Sequence, residues 1–584
     1  MSRWHFFLKN ATSGNTYPSL LNPNSKLLIP LPMPPIALKC RLTGKPFILT
    51  DEDQAMLQKL RMPNPTLCPE ERQRRRLSFR NHNFLYHRKC DKTGKPLISL
   101  YDSDSPFTIY NQELYWSDEW DAKTYGRDFN FNRPFFEQFA ELQKVVPRLA
   151  INGISNENCD YTSYCAQSRN CYLTFTADRN EDCYFGAYSF DNKNCADFLF
   201  LFNCELCYEV TDCTRCFHCF YGFNLEHCSD CYFCRDCIGC HDCFGCVNLR
   251  NKSYYFCNKQ LTKEAYDAKI KALRFDSYSA AQKLKQDFIQ FSLKYPRKAL
   301  DIKGSEEVVG DHVQFSRRCF NAYDVKNCED CRFISHLINA KDCMDWDFYG
   351  DRAEMCYEMS SCAGDIHSCS FCTNSWENNS DLLYCDLMTA SRNCFGCISL
   401  KHAEYCIFNK QYTQAEYEGL LPRIIAHMEK TKEWGEFFPS TLSPYAYNET
   451  IAHDYLPLTE EEVQKRGLGW KNQKEKGGYQ GKAPVLPDSI RDVNASVEKD
   501  IFTCEKSGAN YKIISQELKF YQKHGIPLPH RAPHQRYLDR MELRNPRQQW
   551  TRPCQKCGQP TASSYDPKRP EIVFCEACYL KEVD

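Results

Sequence analysis

Cysteines recur at every third residue through the middle of this chain, and that period restricts the fold more than any other feature. All 17 cysteines from Cys159 to Cys246 lie a multiple of three residues apart. The other positions of this frame over residues 159–249 are uncharged, whereas the two remaining frames carry charged and many aromatic residues. An α-helix would repeat the set every 3.6 residues and a simple strand every two. A strict period of three therefore predicts a coil with short sides, each of which points one residue inward.

A longer period of twelve residues sets the number of sides. The ladder that shows it consists of Cys159, Cys171, Cys183, Cys195, Cys207, Cys219, Cys231 and Cys243. Four sides of three residues make one coil, and successive coils of a parallel β-solenoid stack about 4.8 Å apart. The bore of such a coil admits only small side chains, among which free cysteine behaves as a small hydrophobic residue. Asn180 and Asn192, one coil apart, are expected to stack as a corner ladder.

A second array follows the first less regularly. Its ladder runs through Cys319, Cys331, Cys343, Cys356, Cys369, Cys385 and Cys397, with two intervals of thirteen between Cys343 and Cys369. Each added residue is what a β-bulge at a corner would produce. The sequence thus predicts two short, narrow-bore β-solenoids in a mainly β chain with some helices. Clustered zinc or iron–sulfur sites would also fit the cysteine triplets, but the solenoid is favoured because its frame predicts the same spacing without metal.

The two ends of the chain share a duplicated module. A shift of 464 residues aligns residues 40–115 with residues 504–579 without a gap, with 21 identities in 76 positions. The arrays are duplicated too, since NLRNKSYYFCNKQLTKEAY, which ends at Tyr266, recurs as SLKHAEYCIFNKQYTQAEY, which ends at Tyr417. A helical pattern follows each array, and Thr413 and Glu416 are spaced as a capping box. One further short helix is expected to start at Thr459 to Glu462.

This order divides the chain into eight parts. We expect an extended N-terminal segment (1–39), a degenerate zinc-ribbon-like module (40–150), a first β-solenoid array (151–260), a helical cap and connector (261–304), a second array (305–411), a capping helix (412–436), an extended linker on the surface (437–503) and a zinc-ribbon module (504–584).

The C-terminal module contains the most specific chemical motif. Two C-x2-C pairs, Cys554/Cys557 and Cys575/Cys578, are spaced to place four thiolates around one tetrahedral Zn²⁺. All four ligands would come from the protein, so the site is expected to be structural. Four thiols without metal are the less favoured alternative.

The other three copies of this pattern are eroded. Their corresponding positions are Cys90, Thr93, Asn111 and Leu114; Cys40, Thr43, Cys68 and Glu71; and Cys504, Ser507, Ala532 and Gln535. We infer an ancestral module of two ribbons in which one zinc site stays intact. His530 and His534 could serve as ligands with Cys504, although isolated surface histidines are the favoured interpretation.

These motifs carry a family resemblance. The C-x-x-[CTS]-G turns, the segment Gln516–Tyr521, the closing C-x2-C-G…R-P-E…C-x2-C-Y pattern and the segments SPYAYNET and LPDSIRDV resemble large, uncharacterised, cysteine-rich bacterial proteins with zinc-ribbon modules. The resemblance covers the whole order of parts. It implies zinc binding and no catalytic activity, and the departures at Thr43, Glu71, Thr93 and Ser507 weaken the case for any second zinc site.

Charge and missing motifs limit the function classes. With 74 basic and 75 acidic residues, a surface for a polyanion has to be local. One candidate is a helical face of arginines in each module: Arg72, Arg76, Arg80, Arg536, Arg540 and Arg544. These could grip nucleic-acid phosphates, but pairing with acidic neighbours inside the module is favoured. Nucleophile elbows, P-loops, dinucleotide fingerprints and H-E-x-x-H are all missing, which argues against an enzyme and a small-molecule substrate.

Three functional hypotheses follow, in order of preference. The first is a non-enzymatic, zinc-binding scaffold whose aromatic outer solenoid faces bind a protein partner. The second is a nucleic-acid or ribosome-associated protein that uses the arginine faces, and the third is metal storage or thiol redox buffering. The 38 cysteines without a secretory signal or a membrane span favour a reducing, cytoplasmic location.

Overall fold

A computed structural model of the protein describes residues 34–364, 366–472 and 483–583. Most of the N-terminal segment expected to be extended therefore lies outside the described residues. The described chain is mainly β with some helices, as the sequence predicts, and β-solenoid structure spans residues 153–407. No helix in these ranges is both long and apolar enough to cross a membrane.

The N-terminal module consists of two small ribbons with helices. In each ribbon an antiparallel hairpin, β1/β2 or β3/β4, is followed by a loop and a helix, α2 or α3. The elements are β1 (Ile36–Lys39), β2 (Pro46–Leu49), α1 (Asp51–Leu60), α2 (Pro69–Leu77), β3 (Tyr86–Lys89), β4 (Pro96–Ser99), β5 (Ile109–Tyr110), α3 (Gln112–Trp116), α4 (Phe135–Val145) and β6 (Arg148–Leu149).

The first part of the solenoid, which we call stack 1, has the predicted twelve residues per coil. Tyr184 pairs in parallel with Tyr172 on one side and Ala196 on the other. The expected corner ladder is confirmed, because Asn192 Nδ2 donates to Asn180 Oδ1 at 3.0 Å. Its strands are β7 (Gly153–Ile154), β8 (Ser163–Ala166), β9 (Tyr172–Asp178), β10 (Tyr184–Phe190), β11 (Ala196–Phe202), β12 (Tyr208–Thr214), β13 (Ser229–Tyr232), β14 (His241–Phe244), β15 (Ser253–Phe256) and the antiparallel β16 (Lys259–Gln260).

Two helices then interrupt the solenoid. They are α5 (Lys263–Lys271) and α6 (Tyr278–Ser292), and the short strand β17 (Arg297–Lys298) follows them. The strands before and after this connector belong to separate sheets in the described part of the chain. Tyr266 of α5 packs on Phe233 and Phe244, so the helix covers one end of stack 1 as predicted.

The second part, stack 2, contains the predicted bulges. Met344 pairs with Tyr357 at a register of thirteen, and the register shifts between Ile338 and Ala340. Its elements are β18 (Ile302–Lys303), β19 (Val309–Gln314), β20 (Arg317–Lys326), β21 (Glu329–Lys341), β22 (Met344–Glu354), β23 (Tyr357–Ala363), β24 (Ser370–Thr373), β25 (Ser380–Leu383), β26 (Arg392–Phe395), β27 (Glu404–Ile407), the antiparallel β28 (Lys410–Gln411) and the covering helix α7 (Gln414–Lys430). The predicted capping box of Thr413 and Glu416 starts α7.

Backbone hydrogen bonding explains why cysteine suits the bore. Outward residues bond to the neighbouring coil, as Tyr184 N does to Cys195 O at 2.9 Å. The N–H of the inward Cys216 donates instead to Cys204 Sγ, one coil earlier, at 3.2 Å. Cys204 Sγ also donates to the carbonyl of Phe202 at 3.4 Å. The thiol therefore fills space and also completes the hydrogen bonding of the buried backbone.

The residue before each inward position adopts a left-handed backbone. Asn170, Asp182 and Asn194 have φ of 53°, 51° and 51°, which asparagine and aspartate tolerate better than most residues. Phe185 and Tyr188 adopt it too, with φ of 57° and 56°. Pairing between coils therefore outweighs a local cost of roughly 1–2 kcal/mol per residue.

The C-terminal module repeats the N-terminal one. Its elements are β29 (Phe502–Thr503), β30 (Asn510–Tyr511), α10 (Ser515–His524), α11 (Pro533–Met541), β31 (Trp550–Pro553), β32 (Pro560–Ser563), β33 (Val573–Phe574) and α12 (Glu576–Val583), preceded by α8 (Ile451–Tyr455) and α9 (Glu460–Lys465). Strand β33 pairs in parallel with β17, which ties this module to the connector between the stacks.

The extended surface linker expected over residues 437–503 is partly helical and partly buried. Ile451 and Ala452 of α8 are at most 1% exposed, and Ile451 N donates to Arg80 O at 3.0 Å. The expectation fails because it rested on the high content of Pro, Gly and charged residues. The apolar residues of the same segment pack between the modules and the stacks. The helix start at Thr459 is confirmed, and residues 473–482 lie outside the described residues.

Candidate metal centre

All four ribbons build their first half in the same way. In the last ribbon, Cys554 N donates to Gln559 O at 2.9 Å and Gly558 N donates to Cys554 O at 2.8 Å. Gly558 has φ of +75°, a left-handed value at which glycine carries no steric cost. The turns at the same place in the other ribbons repeat these bonds and the left-handed glycine. They begin at Cys40, Cys90 and Cys504.

The second half of each ribbon is a loop that leads into a helix. The residue after the first cysteine anchors this loop, since Gln555 N donates to Val573 O at 3.1 Å. The equivalent bonds join Arg41 to Thr66, Asp91 to Ile109 and Glu505 to His530. The helices that follow are α2, α3, α11 and α12. These shared bonds fit the inferred ancestral module of two ribbons.

Within the described residues, only the last ribbon brings a group of potential metal ligands together. The sulfurs of Cys554, Cys557, Cys575 and Cys578 all lie within 4.8 Å of one another, and Cys557 and Cys575 are 3.9 Å apart. Cys554 is buried, Cys557 is exposed and the other two are half-buried. The four residues predicted as ligands therefore form one cluster that could hold one metal ion.

Electrostatics at the cluster suit a cation. Burial raises the pKa of Cys554, but amide donors of Cys557, Cys575 and Lys556 outweigh burial and lower that pKa to about 6. A hydrogen bond with Cys575, followed by burial, raises the pKa of Cys578 to about 12. Adjacent thiolates repel one another unless a cation neutralises them, and Zn²⁺ keeps coordinating thiols deprotonated. Four sulfur ligands make a closed, structural type of site.

The second ribbon replaces metal ligation with hydrogen bonds. Asn111 Oδ1 accepts from Leu114 N at 3.0 Å and caps helix α3. Thr93 Oγ1 accepts from Lys95 N at 3.4 Å, within the turn that starts at Cys90. The ribbon shape therefore persists with a single thiol.

The third ribbon also keeps one thiol, and its histidines have other contacts. The ring of His530 stacks on Tyr278 with ring centroids 3.6 Å apart. The ring of His534 lies beside that of Phe84, with centroids 5.0 Å apart. Neither joins Cys504 in a potential metal site among the residues that the structure describes.

The six arginines suggested as nucleic-acid contacts are buried, with side chains at most 6% exposed. Arg76 Nε contacts Asp347 at 2.8 Å, while its Nη1 contacts Asp345 at 2.9 Å and Glu358 at 3.0 Å. Arg72 shares Asp345 at 2.9 Å. These carboxylates belong to stack 2, so α2 is pinned to that stack.

The remaining four arginines contact the solenoid as well. Arg80 donates to Ser361 in stack 2 and to Thr176 in stack 1. Arg536 and Arg540 share Asp197 of stack 1. The prediction of an exposed phosphate-binding face on these six residues, Arg72, Arg76, Arg80, Arg536, Arg540 and Arg544, is therefore wrong. The favoured alternative correctly predicted that the arginines pair with acidic residues. It placed these residues within the modules, whereas they lie in the solenoid.

Arg544 connects both stacks at once. Its Nε contacts Asp212 of stack 1 at 3.0 Å, and its Nη2 contacts Asp324 of stack 2. The guanidinium also lies over the ring of Phe200, 3.8 Å from its centroid. One side chain of the C-terminal module therefore links the two halves of the solenoid.

The aromatic outer face of stack 1 is also covered. Tyr184, Phe185, Tyr208 and Phe220 are at most 8% exposed because they pack against the C-terminal module. Phe233 packs under α5 and α6. These aromatic residues, which the sequence analysis assigned to binding a protein partner, therefore pack against elements of the same chain.

The acidic partners were missed at the sequence level. Asp197, Asp345 and Asp347 are 0% exposed although they occupy outward positions of their triplets. The triplet frame separates inward from outward residues but does not tell covered outward faces from exposed ones.

No protein-family model matches the chain, and a search of curated proteins finds no match. The resemblance to large cysteine-rich bacterial proteins therefore stays a prediction.

Proposed function

We propose that this protein is a non-enzymatic, zinc-binding scaffold that presents exposed solenoid surfaces to a protein partner. The observation that carries the proposal is the set of buried arginines by which both modules hold the two stacks together. Such an arrangement suits a rigid body with repeated surface features, which is how solenoid proteins commonly bind.

Ladders of charged side chains lie on the exposed faces of both stacks, where Phe217 and Phe315 are exposed too. On stack 1, Arg169, Glu181 and Lys193 form a ladder one coil apart, and Arg179 and Asp191 form a neighbouring one. Stack 2 carries similar ladders, including Arg317 with Glu329 and Arg392 with Glu404. Because the main aromatic face of stack 1 is covered, we propose that these charged ladders contact the partner.

The non-enzymatic part of the proposal is supported by contacts around a cavity of about 910 Å³ between stack 2, residues 448–472 and the C-terminal module. Lys471 on its wall pairs with Asp102. Asp454 accepts a hydrogen bond from Tyr537 at 3.0 Å. These polar groups hold the parts of the molecule together, so we assign them no catalytic role.

The test combines crosslinking with ladder variants. In cells of the native host, the tagged protein should crosslink reproducibly to the same partner. The triple variant Arg169→Ser, Arg179→Ser and Lys193→Ser should bind the purified partner at least tenfold more weakly, because three charged contacts are removed.

A second variant carries Arg317→Ser and Arg392→Ser and tests the ladders of stack 2 in the same way. Both variants should keep the zinc content and circular dichroism of the wild-type protein, since exposed substitutions change stability by less than about 0.5 kcal/mol. Unchanged partner binding in both variants would contradict the proposal, and so would salt-dependent RNA binding as the only detectable interaction.

A further inference from the structure

The first ribbon keeps one thiol from each half. Cys40 begins its turn and Cys68 is the residue before helix α2, the places that Cys554 and Cys575 occupy in the last ribbon. Both cysteines are buried and pack with Leu67 in one small cluster. The fold therefore holds two free thiols together at former ligand positions.

The remaining two ligand positions cannot complete a metal site. Thr43 stands at one of them and hydrogen-bonds to the Cys40 sulfur. Glu71 stands at the other, where its carboxylate contacts Arg74 at 3.2 Å and Arg466 at 2.7 Å. Two guanidinium groups thus pair with the one carboxylate among the four ligand positions of this ribbon, which leaves a dithiol.

The surroundings of Cys40 favour its thiolate, while burial raises the pKa of Cys68, its partner in the dithiol. Burial raises the pKa of Cys40, but hydrogen bonds from the Thr43 hydroxyl and from nearby amides outweigh it and lower the pKa to about 7. A cleft of about 400 Å³, lined in part by Arg41, Leu67 and Glu71, lies beside the pair. The thiol of Cys195 in the bore differs, since burial raises its pKa well above the usual value.

We propose that Cys40 and Cys68 form a reversible disulfide and that hydrogen peroxide or an organic hydroperoxide is the oxidant. The Cys40 thiolate attacks a peroxide oxygen, the O–O bond breaks, and a sulfenic acid forms with release of water or alcohol. The Cys68 sulfur then attacks the Cys40 sulfur, a second water leaves, and the S–S bond forms. A thiol reductant restores both thiols by exchange.

The bond would join the two halves of this ribbon, as a bound zinc ion would join those of the last one. It joins the turn at Cys40 to the start of α2, the helix that places Arg72 and Arg76 against stack 2. Because a cross-link restricts the unfolded chain, oxidation is expected to raise the thermal stability of the N-terminal module.

The experiment treats reduced, zinc-loaded protein with a few equivalents of hydrogen peroxide, blocks the remaining thiols with an alkylating agent and maps peptides without reduction. We expect a Cys40–Cys68 linked peptide as the main product, reversal by dithiothreitol and no such peptide from Cys68→Ser. Cys90 and Cys504 are matched controls, since each occupies the same turn with no second ribbon cysteine.

A second measurement does not depend on a variant that folds. When the wild-type protein is unfolded after peroxide treatment and then alkylated, Cys40 and Cys68 should be protected at peroxide doses that do not yet release zinc. Alkylatable Cys40 and Cys68 under conditions that already oxidise Cys557 or Cys575 would overturn the proposal.

Discussion

Cys204 and Cys554 show how the local backbone decides the chemistry of a thiol. Cys204 lies in the bore, where burial raises its pKa well above the usual value and the thiol stays protonated. Cys554 lies in a turn whose amides favour the thiolate, and its pKa falls to about 6. At the scale of the residue, the conformation of the turn therefore decides whether a cysteine forms the thiolate that a metal ion needs.

Substitution of one ligand should remove the zinc. We expect about one zinc per wild-type chain, and at least tenfold lower occupancy in Cys557→Ser or Cys575→Ser, because three remaining sulfurs leave an incomplete tetrahedron. Elemental analysis of dialysed protein measures this. The control Cys90→Ser should keep its zinc, and a zinc-free wild-type protein would refute the site.

His312 should make stability fall in mildly alkaline solution. Burial and Arg544 lower its pKa, but Asp311, Asp212 and a hydrogen bond to Asp301 outweigh them and raise it to about 9. Since the folded pKa exceeds the unfolded value of about 6.5, the contribution is complete below pH 6.5 and is lost as pH rises towards 9.

Melting temperatures from pH 6 to pH 10 test this dependence. The wild-type protein should lose stability relative to His312→Gln over this range. The exposed control His402→Gln should follow the wild-type curve, and a difference between wild type and His312→Gln that does not change with pH would contradict the assignment.

At the scale of the element, each coil is built from triplets in which every position forms a characteristic hydrogen bond. Two residues of the triplet pair with neighbouring coils, and the third needs an inward acceptor for its N–H. Cysteine, serine and asparagine can all supply it: Cys216 N bonds to Cys204 Sγ, Cys328 N to Ser316 Oγ and Ser391 N to Asn379 Oδ1.

A pair of substitutions at residue 204 separates hydrogen bonding from packing. Cys204→Ser keeps an acceptor for Cys216 N, whereas Cys204→Ala leaves this buried N–H without a partner at a cost of about 1–3 kcal/mol. Native-state hydrogen exchange should therefore show faster exchange of the Cys216 amide in the alanine variant. Equal exchange in both variants would show that the thiol serves only to fill space.

At the scale of the whole molecule, the modules at both ends of the chain hold the solenoid parts together. Arg76 fixes the N-terminal module to stack 2, and Arg536 fixes the C-terminal module to stack 1. Rings of the two stacks also pack directly, since Tyr188 stacks on His336 with centroids 4.7 Å apart. The stacks therefore form one body although their sheets are separate.

Loss of Arg544 should loosen this arrangement. Arg544→Met keeps much of the side-chain volume but leaves Asp212 without its guanidinium partner, a change that typically costs about 3–5 kcal/mol for a buried pair. We expect a lower melting temperature and faster proteolysis between the stacks. Arg169→Met on the exposed ladder is the control, and equal effects of the two substitutions would argue against a bridging role.

The sequence by itself determined the features that depend on short separations. The three-residue frame identified the inward positions, the C-x2-C pairs identified the four thiols that could hold a metal ion, and the helix-start patterns identified the starts of α7 and α9. Each of these patterns is local, and backbone geometry allows few other ways to satisfy it.

Only the tertiary structure decided what covers the solenoid. Arg76 and Asp347 are 271 residues apart, and Arg536 and Asp197 are 339 apart. Two residues of every triplet point outward, and the frame contains no signal for which of these faces another part of the chain will bury. The arginine and aromatic residues were therefore recognised from the sequence, but their partners depended on how the modules pack against the stacks.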